Sequence, residues 1–96
     1  MATIEQRIYN GDQARLVLEN EAFAAAFADM KAEFSTAMFA TQARDVEGRE
    51  KLYMMVKLAD KLEAILRASL DDGKLAKHEL RHERSLAERA KEAIGL

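Results

Sequence analysis

Phe23, Phe27, Met30, Phe34, Ala37 and Thr41 follow one another at steps of four, three, four, three and four. That spacing lines one face of an α-helix, whereas a strand repeats every second residue. All but the last position are apolar, so the face is one that packs on another helix. Alanines at 24, 25, 26 and 28 keep the helix thin beside its aromatic rings, and a neighbour can approach closely. A cofactor or lipid pocket is the other use of such a stripe. Phenylalanine and methionine at helical spacing ordinarily form core instead.

The rest of the chain obeys the same constraint. It has no proline and only four glycines, with Ala, Leu, Glu, Lys and Arg abundant, and no stretch alternates with period two for long enough to make a sheet. Thr3 and Gln6 form a capping box ahead of Ile4 and Ile8. Asn10-Gly11-Asp12 reads as an interruption, because glycine weakens a helix and its neighbours compete for backbone hydrogen bonds. A short helix resumes from Asp12, burying Leu16, Val17 or Leu18. Asn20 caps the aromatic helix, expected over 21–42, and Asp45 caps the next, expected over 46–70.

That third helix carries a main stripe of Leu52, Met55, Ala59, Leu62, Leu66 and Ser69 or Leu70, with a second row of Met54, Leu58 and Ile65 beside it. The apolar arc is wider than one partner helix covers, which points to a third helix or another subunit. Asp71-Asp72-Gly73 reads as its end, with Gly73 in the left-handed C′ position. The segment 74–96 then forms a separate charged helix that packs partly or projects. The expected fold is all-α: one domain over 1–96, an antiparallel helical hairpin or small bundle with a short N-terminal helix and a charged C-terminal helix.

Charge and composition narrow the function. With 15 basic and 17 acidic residues the formal net charge is −2, so no overall field draws the chain to nucleic acid or an anionic membrane. Lys74, Lys77, Arg81 and Arg84 are the nearest thing to a phosphate-binding patch. Interleaved glutamates and a lack of nearby aromatics argue against nucleic acid. The absence of cysteine removes disulfides, thiol catalysis, iron–sulfur clusters and cysteine-ligated zinc. No leader or membrane-length apolar run is visible, and the expected location is the cytoplasm. No glycine-rich phosphate loop and no serine or cysteine nucleophile beside the histidines suggests an enzyme.

One string does suggest an enzyme. His78-Glu79-Leu80-Arg81-His82 matches the H-E-x-x-H pattern, in which two histidines four apart on a helix ligate zinc and the glutamate acts as general base. A third ligand is missing from the pattern: there is no third histidine, and Glu83, Glu88 and Glu92 follow too closely to return from a second helix. Lys77 and Arg81 stand where such a helix is normally apolar, and no edge strand is available to hold a substrate. His78 and His82 are therefore weak metal candidates, and the string reads as the solvated face of a terminal helix. Asp45-x-Glu47-x-x-Glu50 and Asp71-Asp72 read as helix-capping charges, not as metal sites.

Three further segments carry a resemblance: residues 14–27, running from Ala14-Arg15-Leu16-Val17-Leu18-Glu19-Asn20 to Phe27; Asp45-Val46-Glu47-Gly48-Arg49-Glu50-Lys51-Leu52-Tyr53; and Asp71-Asp72-Gly73-Lys74-Leu75-Ala76. Together they resemble small uncharacterised all-helical proteins encoded by tailed bacteriophages, over roughly residues 12–76. The resemblance implies a phage origin and a virion or assembly role in the host cytoplasm or the particle, and brings no catalytic residues.

The function expected is non-enzymatic, with no cofactor: protein–protein contact through helices, in a homo-oligomer or larger assembly, made by Met54, Leu58, Ile65, Lys77, Arg81 and Arg84. A phage inhibitor of a host defence or regulatory protein is the alternative, and a zinc hydrolase a remote third.

Overall fold

The computed structural model describes residues 2–95, which form three helices in chain order: α1 (Ile4–Glu19), α2 (Glu21–Ala40) and α3 (Val46–Ala93). The three N-caps read from the sequence, Thr3, Asn20 and Asp45, all form. Thr3 Oγ1 accepts from the Gln6 N–H at 3.1 Å while Gln6 Oε1 accepts from the Thr3 N–H at 2.9 Å, closing the reciprocal pair that opens α1. Asn20 ends α1 and caps α2, its Oδ1 accepting from the Phe23 N–H at 2.8 Å. A single extended residue thus turns one helix into the next. Asp45 Oδ1 accepts from the Gly48 N–H at 3.0 Å and opens α3.

Helices α1 and α2 lie end to end along α3, both antiparallel to it. The order of the cross-contacts fixes this: Arg7 meets Asp72 and Glu79, Val17 lies near Ile65 and Leu66, and Lys31 meets Asp60 and Glu63. At about 1.5 Å per residue, the 48 residues of α3 span about 72 Å, in keeping with the longest molecular extent of 78 Å. The 16 and 20 residues of α1 and α2 cover about 54 Å of it. The remainder overhangs: residues 81–95 are exposed without exception.

Two of the breaks expected from sequence are absent. Helix α1 runs through Asn10-Gly11-Asp12, and α3 runs through Asp71-Asp72-Gly73 into the charged segment. The physical reason lies in a single contact. A Cβ built on Gly11 would stand 2.7 Å from Gly73 Cα, and one built on Gly73 would stand 2.8 Å from Gly11 Cα. The two backbones touch where the helices cross, and no side chain fits between them. Each glycine forgoes about 1 kcal/mol of helix propensity relative to alanine, and the crossing supplies the burial that offsets it. Ala14 and Ala76 are buried beside the two glycines.

The α2·α3 seam also differs from the expected stripe. Half-buried or buried on α3 are Leu52, Val56, Ala59, Glu63, Leu66 and Leu70, at steps of four, three, four, three and four. Met55 and Leu62, placed on the main stripe by hydropathy, are instead 44 % and 46 % exposed. The seam can hold Glu63 because Lys31 and Arg67 both reach its carboxylate. On α2 the seam comprises Phe23, Phe27, Met30, Phe34 and Met38, with Met38 in place of Ala37. No side chain larger than alanine is fully buried among the described residues.

Gly73→Ala tests the crossing. Propensity alone would stabilise the helix by about 1 kcal/mol, but overpacking a tight contact costs about 1–3 kcal/mol, so the thermal midpoint should fall. A raised midpoint would mean that the two backbones are not in contact.

Candidate interaction surface

Charges frame the glycine crossing. Arg7 donates from Nε and Nη2 to the Asp72 carboxylate at 2.8–3.1 Å and from Nη1 to Glu79 Oε2 at 2.9 Å. Lys77 Nζ donates to Asp12 Oδ1 at 2.8 Å. These bonds tie α1 to α3 on both sides of Gly73. They hold the Arg7 guanidinium firmly charged, and they lower the carboxyl pKa values of Asp72, chiefly through the Arg7 hydrogen bonds, and of Asp12, chiefly through that of Lys77. Asp71-Asp72, read from sequence as capping charges, therefore lie mid-helix, and Asp72 fixes α1.

The H-E-x-x-H string takes its place at the end of this network. His78 and His82 are both exposed on α3, one turn apart. Glu79, the residue that would serve as general base, accepts the Arg7 hydrogen bond instead. Among the described residues no group of three or more His, Cys, Asp or Glu side chains is arranged to hold a metal ion. Of the charged contact residues proposed from sequence, Lys77 is engaged within the chain by Asp12. Arg81 and Arg84 stand exposed on the overhang, the helix surface farthest from α1 and α2.

A groove of about 430 Å³ opens on one flank of the hairpin between Leu18, Phe23, Phe27, Lys31, Glu63 and Arg67. The rings of Phe23 and Phe27 stack at 5.6 Å, and the Lys31 ammonium lies 5.9 Å from the Phe27 centroid. Its charges are already matched: Lys31 to Asp60 at 2.5 Å and Arg67 Nε to Glu63 at 3.1 Å. The hydrogen bond from Lys31 to Asp60 raises the lysine pKa. The groove therefore presents charges paired with one another around an aromatic step.

The opposite flank is apolar and open. Met54, Leu58 and Ile65, the row singled out in the sequence, are 63 %, 68 % and 55 % exposed, and Met55 and Leu62 join them. Met55, Leu58, Leu62, Ile65, Ser69, Gly73 and Ala76 form one row at steps of three, four, three, four, four and three. Helix α1 covers the last three of these; the first four stay exposed. Val17, at the end of α1, borders the open part.

Sequence reasoning missed Arg7, Asp12 and Asp72. Their partners lie 65 to 72 residues away, and no local spacing rule reaches that far. The nearest signal was an arginine beside an apolar stripe.

Comparisons with protein-family models, with curated proteins and with solved structures find no match to this chain. Among the described residues no helix is long and apolar enough to cross a membrane.

The depressed pKa values set a pH dependence. A carboxylate stabilised in the folded state contributes fully above its unfolded pKa, and that contribution disappears as pH falls through the lower folded value. Acidification below about pH 4 should therefore loosen α1 from α3. The protection factors of α1 amides, each rate taken relative to the intrinsic rate at the same pH, should fall at pH 3 relative to pH 6, and the change should shrink in Asp12→Asn/Asp72→Asn. Equal pH sensitivity in that variant would contradict the assignment.

Proposed function

We propose that the protein is a non-enzymatic interaction protein that works through helix–helix contacts, as a small component of a tailed-phage virion or of its assembly. The observation that carries the contact role is the open row Met55, Leu58, Leu62 and Ile65 on a single long helix. A row with helix-packing periodicity, rigidly displayed and half covered by the chain's own α1, is a docking surface awaiting a second helix. The resemblance of residues 12–76 to small phage-encoded helical proteins supports the assembly role. The overhang beyond Leu80, bearing Arg81 and Arg84, adds a charged surface beside the apolar one.

A photo-cross-linking amino acid at position 58, introduced into the protein during phage infection, tests this reading. The expected result is cross-links to protein in purified particles or assembly intermediates. Cross-links confined to a host protein, with the polypeptide absent from particles, would overturn the assembly role in favour of host inhibition. Metal-dependent hydrolysis abolished by His78→Ala would overturn the non-enzymatic reading.

A further inference from the structure

We infer that the open flank of the hairpin is the interface with a second copy of this chain, the apolar ridge of α3 seating in an alanine-lined trough on α2 of the other copy. This rests on the interaction reading above and names its first partner.

Three observations carry it. The first is surface area. A compact monomer of 10.8 kDa exposes about 5,500 Å², whereas this chain exposes 7545 Å². The excess of about 2,000 Å² is more than twice the roughly 800 Å² that one partner buries in a stable interface. The exposed overhang from 81 to 95 supplies part of this excess, and the open row from Met55 to Ile65 supplies an apolar part.

The second is shape. Lys31 reaching Asp60 marks one flank of the α2·α3 pair. At about 100° per residue, the other flank carries Asp29, Glu33 and Ala37 on α2, and Met55, Leu58 and Leu62 on α3. The α2 part, the trough, is a shallow groove along one helix face, running between Asp29, Glu33 and Ala37 on one side and Ala32, Thr36 and Ala40 on the other. The α3 part is a ridge of long apolar side chains. Ridge and trough lie side by side on the same flank, so a two-fold axis running along the helices places each ridge over the partner's trough. That reciprocity is what a two-fold interface requires.

The third is charge. Lys61 stands on the outer edge of the ridge, and Asp29 and Glu33 edge the trough. None of the three makes an ion pair among the described residues. Ridge over trough brings the lysine of each copy toward the acids of the other, whereas ridge over ridge would bring the two Lys61 edges together. The charges therefore select the first arrangement.

Size-exclusion chromatography with light scattering on the purified full chain tests the interface. The expected mass is twice that of the chain. Leu58→Glu/Ile65→Glu, changing two exposed residues, should give a monomer with an unchanged helical circular dichroism spectrum. Lys61→Glu should weaken the dimer by at least about fivefold, and Lys61→Glu/Glu33→Lys should restore it. A monomer at every concentration, a dimer indifferent to Leu58→Glu/Ile65→Glu, or a Lys61→Glu defect that Glu33→Lys leaves unrescued would each overturn the inference. A monomer that still cross-links to other proteins in phage particles would leave the assembly role standing, so the two failures are distinguishable.

Discussion

The backbone contact between Gly11 and Gly73 governs the architecture. Because neither residue carries a side chain, α1 reaches the surface of α3 itself, and the alanines beside the crossing are buried by that approach. The same closeness brings Arg7 within reach of both Asp72 and Glu79, and Lys77 within reach of Asp12. With α1 docked on the C-terminal half of α3, the single residue Asn20 directs α2 along the N-terminal half. A wider crossing would weaken all of these contacts together.

This arrangement leaves the molecule long and thinly packed. Two helices laid end to end on a third bury seams, not a centre, and each seam is only one or two residues wide at each turn. The hydrophobic gain is correspondingly small for the number of residues ordered. That is why an uncovered apolar row matters. A helix row that α1 covers at Ser69, Gly73 and Ala76 and leaves open from Met55 to Ile65 offers the further burial that the isolated chain lacks.

Local chemistry was legible in the sequence. The Thr3–Gln6 capping box, the Asn20 and Asp45 caps, the aromatic stripe from Phe23, the antiparallel α2·α3 pair and the exposed row of Met54, Leu58 and Ile65 all follow from spacing and side-chain type. What failed was the reading of Gly11 and Gly73 as punctuation. Glycine weakens an isolated helix, and only knowledge of what lies opposite reveals that the missing side chain is the point. Glu63 has no place in the stripe read from hydropathy, and it sits in the seam because Lys31 and Arg67 reach its carboxylate. The cross-helix ion pairs were hidden by sequence separation. His78 and His82 did share one exposed helix face as the spacing required, while the arginine that occupies Glu79 comes from α1 and could not be found locally.

The central claim is that Gly73 is a packing residue inside one continuous helix, not a terminator. Since the chain has no cysteine, spin labels can be placed cleanly at Lys61→Cys and Arg84→Cys, 23 residues apart on α3 by position, and their separation measured by pulsed electron resonance. In labelled chain diluted with excess unlabelled chain, so that only distances within one chain are read, a continuous helix predicts one narrow distribution centred near 35 Å, at about 1.5 Å per residue. A short or broad distribution, as a chain reversal at Asp71-Asp72-Gly73 would produce, would contradict it.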